Sequence, residues 1–419
     1  MNENIQKYAE HCLNCKVKPC SNKGCPLNND IPTFIKLVKE NNMEEAYFTL
    51  LKTTILGSIC GRICPHYKQC MGSCVRGIKG ESVQIGTIEA FISDYGLEHN
   101  LISKLQKTDE LKGKSIAVIG GGPAGLTASY FLAKEGATVT IYEKHNKLGG
   151  ILAHGIPAFR LNPEILEKTI NSIISLGINV KYNQEIGKDI KVEEISKKYD
   201  ATILAVGANV SSKMNIEGEN LNGVYGGNEL LENNNYPDFR DKIVSIIGGG
   251  NVAMDASRTI QKLGAKKVFV IYRRSEEQMP AEAKEIEAAK EEGIEFLFQN
   301  NIVKILGENK VEEIECIKTK LVQKEGETRL SPVNIEDSNY KMPMDYVIMC
   351  VGSKPEENAI KQFEKNKWGY VNINEEMQTS IPHVYAIGDI AGNKATVAWA
   401  AKSGRDAAYK IIENLKKSY

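Results

Sequence analysis

Residues 116–144 read IAVIGGGPAGLTASYFLAKEGATVTIYEK, and residues 243–274 repeat the plan as IVSIIGGGNVAMDASRTIQKLGAKKVFVIYRR. Each copy runs from an apolar strand through a GGG turn into a helix, then past a glycine into a second apolar strand. That order fits the unit on which dinucleotides bind, so two copies predict two dinucleotide sites. In the first copy Gly120, Gly122 and Gly125 satisfy G-x-G-x-x-G, with Pro123 and Ala124 opening the helix. The first glycine permits the tight turn, the second admits a pyrophosphate to the backbone, and the third lets helix pack on strand. Glu143 ends the second strand, where a carboxylate accepts hydrogen bonds from a ribose. Such a turn also occurs without a ligand; the flanking strands, helix and acid favour the binding reading here. The second copy keeps Gly248 and Gly250, has Ala253 in third place, and ends in Arg273 and Arg274 instead of an acid. An acid there would repel a 2′-phosphate, whereas arginine clamps one with charge-assisted hydrogen bonds. The second site is therefore read as taking NADPH in preference to NADH, the alternative being two solvated arginines at a strand end.

Outward from these copies, 419 residues allow about three domains. A lysine- and glutamate-rich stretch at 275–345 separates the second copy from VYAIGDIAGNKATVAWAAKSGRDAAYKI, whose strand, Gly-Asp turn and helix read as a return to the first domain. The expected architecture is α/β: a helical domain at 1–108, a first Rossmann-like domain at 109–238 and 345–419, and a second inserted within it at 239–344. Lys+Arg and Asp+Glu balance at 53 each, so no global field points to nucleic acid or a membrane surface. No segment approaches the ~20 apolar residues of a membrane span, and the N-terminus lacks a basic start with an apolar run. A cytoplasmic protein is expected.

Eight of the ten cysteines fall in the first 74 residues, as Cys12, Cys15, Cys20, Cys25 and then Cys60, Cys64, Cys70, Cys74. In a reducing compartment such density points to metal ligation before disulfides. Two amphipathic stretches, DIPTFIKLVKENN and MEEAYFTLLKTT, separate the sets. Structural zinc usually pairs two C-x2-C knuckles or adds histidines. Only Cys12 and Cys15 have that spacing, and the other gaps of three to five residues fit ferredoxin-type runs better. Cys316 and Cys350 sit alone in apolar contexts and read as buried thiols. No cysteine pair follows either glycine-rich turn, which argues against a dithiol–disulfide reductase.

The chain resembles the small subunit of bacterial glutamate synthase and its relatives, including the NADPH-oxidising half of dihydropyrimidine dehydrogenase and the large subunit of ferredoxin-NADP transhydrogenase. The resemblance covers essentially the full length. It is carried by C-x2-C-x4-C with GCP, CGRICP followed by C-x3-C, GGGPAGL, GGI with HGIPAFRL, GGGNVAMD, YRR with MPA, and AIGDIAG with TVAWAAKSGRDAA. It implies that the first unit holds FAD, lined by Gly120, Gly122, Pro123, Ala124, Gly125, Glu143, Gly150 and Arg160. Gly388 and Asp389 would reach the ribityl chain, and the backbone at Thr396 and Val397, at a helix N-terminus, would face the pyrimidine edge of the flavin. NADPH would contact Gly248, Gly250, Asn251, Val252, Ala253, Arg273 and Arg274. The resemblance also implies two interleaved [4Fe-4S] clusters, one on Cys12, Cys15, Cys20 and Cys74, the other on Cys25, Cys64 and Cys70 with a non-cysteine ligand at Glu89. In IGTIEAFISDY the residues Ile85, Ile88, Ile92 and Tyr95 mark a buried face with Glu89 at its edge; Cys60 is the rival fourth ligand. The step of five positions from Cys20 to Cys25 is longer than the family's usual spacing.

The implied function is an electron-transfer flavoprotein subunit that passes electrons from NADPH through FAD to the clusters and on to a partner, most directly a glutamate synthase large subunit. A transhydrogenase large subunit, working with a flavoprotein small subunit, is the alternative among enzymes. A non-enzymatic scaffold that retains the fold is the other, against which intact Gly120, Glu143 and Asp389 weigh. No catalytic side chain is assigned, because the chemistry belongs to the cofactors.

Overall fold

A five-stranded parallel sheet carries the first glycine-rich copy in the computed structural model, which describes residues 3–233, 235–324, 326, 329–392 and 394–417. Its strand order is Val384–Ala386, Ala201–Leu204, Ser115–Ile119, Thr138–Tyr142, Asn179–Lys181. All neighbours are parallel. Ile116, Ala117, Val118 and Ile119 are buried in succession, as in a parallel strand covered on both faces. A second five-stranded parallel sheet repeats the arrangement with Val224–Gly226, Tyr346–Met349, Ile243–Ile247, Lys267–Tyr272 and Glu295–Phe298. In both, the strand that feeds the GGG turn is central and the strand ahead of Glu143 or Arg273 lies beside it. The sequence repeat is a repeat of topology.

The chain divides into two compact units, one made of residues up to Ala153, Ala158–Ala208 and Pro355–Tyr419, the other of His154–Pro157 and Asn209–Lys354. The second interrupts the first, as an inserted domain does, but it is wider than 239–344. Val224–Gly226 and Tyr346–Met349, expected in the FAD domain, pair into the second sheet. The stretch after Glu295–Phe298 contributes an antiparallel sheet of Asn300–Leu306, Glu313–Val322, Ser331–Asn334 and Tyr340–Pro343, with Cys316 fully buried in it. Cys350 is half-buried as a residue, and burial raises its thiol.

The cysteine-rich helices, expected as a separate domain at 1–108, fall in one unit with the first sheet. Specific bonds join them: the Tyr130 hydroxyl donates to the Leu51 carbonyl at 3.0 Å, and the buried Arg405 guanidinium donates to the Leu27 carbonyl. Ile31–Lys39 buries Ile31, Phe34, Ile35 and Val38, the i, i+3, i+4, i+7 face of an amphipathic helix. Gly57–Ile63 crosses Ile85–Glu98 at close range, since a Cβ on Gly61 would stand 2.5 Å from the Gly86 carbonyl oxygen. Cys60, on the first of these helices, and Cys64, at its end, lie within electrostatic reach of Glu89 on the second. Val397–Lys416 packs on Pro123–Lys134 with similar intimacy, where a Cβ on Gly404 would lie 2.2 Å from the Ala124 carbonyl oxygen.

Candidate cofactor and cluster sites

At the first turn, Gly120 has φ +105 and a Cβ there would meet the Ala205 carbonyl oxygen at 2.5 Å. Gly125 lies against the Gly120 carbonyl oxygen, where a Cβ would come to 2.0 Å. Gly122, the residue before helix Pro123–Lys134, differs: its nearest neighbour is the Gly150 Cα, at 3.8 Å from a built Cβ. Two glycines back to back thus leave the helix N-terminus open to a pyrophosphate, with Ala124 packed behind against Gly388. Glu143 is 3% exposed and accepts from the backbone N–H groups of Gly121 at 2.8 Å and His145 at 2.9 Å. Each carboxylate oxygen keeps a second lone pair for a ribose hydroxyl. Arg160 sits half-buried ahead of helix Pro163–Ile174.

Asp389 has an Oδ1 that is shielded from solvent without a hydrogen-bond donor among the described residues. Burial pushes its carboxyl up to about 6. Thr396 caps helix Val397–Lys416 by accepting from the Trp399 N–H at 3.4 Å. An unpaired buried acceptor beside an open glycine cradle and a helix N-terminus fits a polyhydroxylated chain joined to a pyrophosphate. A carboxyl whose pKa is raised on folding weakens the fold as pH rises from about 4 through that raised pKa, on the order of 3 kcal/mol here once both states are ionised, and costs nothing below about pH 4. Asp389→Asn is therefore expected to raise the thermal midpoint of flavin-stripped protein near pH 7.5 and to lose that advantage as the pH falls toward about 4, while weakening FAD retention. A midpoint gain that is the same at both pH values would mean Asp389 is not the strained group.

The second turn repeats these contacts. Gly248 has φ +137, with the Cys350 carbonyl oxygen 2.2 Å from a built Cβ, and Gly250 has only Pro280 Cγ, at 4.0 Å. Ala253 is fully buried where Gly125 stands in the first turn. Asn251 has a structural role, since its Oδ1 accepts from the Glu282 N–H at 3.0 Å and ties the turn to the start of helix Ala283–Glu291. Val252 begins to cover the apolar core beneath. Beyond Tyr272, Arg273 is exposed and Arg274 half-buried, its Nε shielded without an acceptor. Arg329 joins them, donating to the Gln278 carbonyl at 2.7 Å and reaching the Tyr272 hydroxyl at 3.3 Å. Arg329 escapes sequence reading because it lies in a charged loop with no periodic signal.

Cys12, Cys15, Cys20 and Cys74 line one cavity of the helical region, with Ile31, Ile35, Val83 and Ile85 among its walls. Burial pushes the Cys20 thiol up to about 11 and raises Cys12. A second set gathers Cys25, Cys60, Cys64, Cys70 and Glu89, each within electrostatic reach of others. Burial, then the charge of Glu89, pushes Cys25 up to about 12, and the same two causes hold Cys70 well up. Burial pushes Glu89 itself up to about 8 against one opposing hydrogen bond from Asn29 Nδ2, 3.1 Å from Oε1. Among the described residues no three such side chains converge tightly enough for one metal ion. Soft donors gathered in two sets, one of them lining a cavity, fit iron–sulfur clusters, whose positive charge would offset the burial that raises these thiols.

Two details explain how the sequence builds this. Cys20–Gly24 forms a π-helical turn closed by the Cys25 N–H donating to the Cys20 carbonyl at 2.8 Å, which absorbs the long step between those cysteines. Asn29, 1% exposed, donates its backbone N–H to the Cys25 sulfur and its side chain to Glu89, while Thr53 Oγ1 donates to Asn29 Oδ1 at 2.7 Å. Nothing in local pattern marks Asn29. Tyr95 is half-buried and stacked on His99 at 3.9 Å, leaving the buried face to Ile85, Ile88, Glu89 and Ile92.

The profile of the pyridine nucleotide-disulphide oxidoreductases matches residues 114–404, and that of dihydropyrimidine dehydrogenase domain II, 4Fe-4S cluster, matches residues 1–101. The glutamate synthase [NADPH] small chain of Escherichia coli K12 is 34% identical over 430 residues, 97% of this chain and 91% of that one. The β subunit of the NADP(+)-dependent formate dehydrogenase of Moorella thermoacetica is 33% identical over 95% of this chain, which spans 60% of that subunit. FprA from Mycobacterium tuberculosis superimposes with a TM-score of 0.65 over 73% of this chain and 85% of that one, at 20% identity, a likeness of fold alone. No helix among the described residues is long and apolar enough to cross a membrane.

Proposed function

We propose that this chain, which belongs to the pyridine nucleotide-disulphide oxidoreductase family and within it to the group of the glutamate synthase small chains, is the NADPH-oxidising subunit of an electron-transfer complex. It takes FAD at the first turn, NADPH at the second, and two [4Fe-4S] clusters on the helical region. Bound FAD supplies the exchange between two-electron and one-electron chemistry, and the clusters carry single electrons. The side chains bind and orient. Gly122 and Gly250 admit the two pyrophosphates, Glu143 and Asp389 accept from hydroxyls, and Arg273 and Arg274 hold a 2′-phosphate. The N-terminus of Val397–Lys416 presents its positive end to the pyrimidine edge of the flavin.

One observation carries the reading: the Ala398 N–H, in the first turn of that same helix, donates to the Cys64 sulfur. The proposed flavin site and the ligand set around Glu89 thus share a helix terminus, which supports a reading in which that cluster lies next to the flavin and Cys12, Cys15, Cys20 and Cys74 form the outer set. The partner proposed first is a glutamate synthase large subunit. The Moorella relative is named as a formate dehydrogenase subunit, so another dehydrogenase partner fits the same chain. A transhydrogenase small subunit is the further alternative. Affinity purification from the native cell separates these readings by what copurifies, and a chain that purifies alone and retains no flavin would overturn all of them.

The cofactor content is a direct check. Anaerobically purified protein is expected to carry about eight irons and one FAD per chain, measured by metal analysis and flavin absorbance. Stoichiometric zinc with negligible iron would sink the cluster assignment.

A further inference from the structure

Around the cavity of the outer cysteine set the protein surface changes character. Leu13 and Val75 line that cavity and are 51% and 40% exposed. Val17 and Ile78 are each 76% exposed. Val75 and Ile78 open and close one 3₁₀ turn, in which residues three apart share a face. Large exposed apolar side chains at a cavity mouth, with others three and four residues away in sequence, mark a surface that something covers. The charge around them leans positive. Residues 10–24 contain Lys16, Lys18 and Lys23 against Glu10, and residues 65–81 contain Lys68, Arg76 and Lys79 against Glu81, in a chain whose 53 basic and 53 acidic residues balance. Lys18 is paired with Asp30 at 2.6 Å, and Arg76 Nε donates to the His11 carbonyl at 2.9 Å. Lys16, Lys23 and Lys79 project from exposed positions.

We propose that this apolar, lysine-rimmed surface is the docking face for the protein that accepts the electrons, and that the accepting protein is acidic there. The proposal rests on the function argued above and adds the chemistry of the partner. Apolar contact at the centre excludes water between donor and acceptor, while the lysines steer an acidic surface toward the outer cysteine set and set its orientation. An exposed rim of this kind governs encounter and salt dependence more than final affinity.

The test uses the holoprotein with an acidic [2Fe–2S] ferredoxin as the probe and basic cytochrome c as the comparison, each followed by titration at low and high salt. Ferredoxin is expected to bind at low salt and to weaken at least tenfold between about 20 and about 300 mM NaCl, where the screening length falls below ~10 Å. Replacing Lys16, Lys23 and Lys79 with glutamate should remove that binding and bring cytochrome c on instead. Val17→Ser with Ile78→Ser should weaken ferredoxin binding by a factor that salt does not change. Ferredoxin that fails to bind at low salt, binds no better than cytochrome c, or ignores the charge reversal overturns the proposal. Flavin content and NADPH-driven reduction of ferricyanide are measured on the same samples. Their absence from the wild type would count against the enzymatic function, whereas their retention in the lysine variants isolates any binding defect to the docking face.

Discussion

Replacing Arg273 and Arg274 with alanine is expected to reduce kcat/KM for NADPH by roughly 10- to 100-fold per lost contact while leaving NADH nearly unchanged. A hydrogen bond to a charged group is worth ~1.5–3 kcal/mol, and ~1.4 kcal/mol is a factor of ten. Losing both clamps therefore moves the coenzyme preference by two or more orders of magnitude. The structure explains why the variant should fold. The backbone at this strand end is fixed independently of the side chains, because the Arg273 carbonyl accepts from Thr319 Oγ1 at 2.8 Å and the Arg274 carbonyl from the Gln299 N–H at 3.0 Å. Arg274 Nε already lacks an acceptor, so truncation strands no bonded group there. Steady-state kinetics with both coenzymes decides the matter: an equal loss for NADPH and NADH would assign the arginines to structure. Arg329, bound to Gln278 and Tyr272 beside them, gives the double variant a residual cation. Adding Arg329→Ala is expected to deepen the NADPH defect.

What can be read from the chain and what cannot divides along the range of the forces involved. Gly120 and Gly125 are legible because a tight turn and a close helix each exclude a side chain locally, and the tight turn recurs at Gly248, whereas Gly122 and Gly250 stand in nearly open space. The insertion of one unit in another is legible from the return of a strand and Gly-Asp turn near the end. The boundaries are not, because Val224–Gly226 and Tyr346–Met349 join the second sheet through pairing with residues far away in sequence. The cysteine sets follow the same division. Their number is visible, whereas their grouping needs a close helix crossing at Gly61, a π-turn at Cys20–Gly24 and the folding of Cys74 back onto Cys12. Asn251 reads as a nucleotide contact in the sequence, and in the fold its carboxamide pins Glu282. Asn29 and Arg329 are silent for one reason: an isolated polar residue in a turn acquires its meaning only from its partners.

Glu89→Ala is expected to leave reduction of the flavin by NADPH as fast as in the wild type and to slow delivery of electrons to a cluster-dependent acceptor by more than tenfold. The carboxylate is 5% exposed and among the described residues has one hydrogen bond, on Oε1, so Oε2 is the atom available to a metal. Asn29 cannot turn its amide over without breaking the bond from Thr53, so the carboxylate is held in one orientation. An isolated carboxylate in this position is costly to ionise, a cost that a cationic cluster offsets. Cys60 is the competing ligand: it is buried beside the same set, and its thiol bonds to Cys64. That bond gives Cys60 a role that does not require iron. A carboxylate is a harder donor than a thiolate, so the cluster it completes should differ from the other in its electron paramagnetic resonance signal, and removing it should change that signal alone. Alanine also strands the Asn29 amide, at about 1–3 kcal/mol; Glu89→Gln keeps a partner for it and controls for stability. Rapid-mixing absorbance follows the flavin and the acceptor separately in each variant. If Glu89→Ala keeps both cluster signals and the onward rate while Cys60→Ser loses one signal, the fourth ligand is Cys60 and Glu89 is a buried carboxylate held by Asn29.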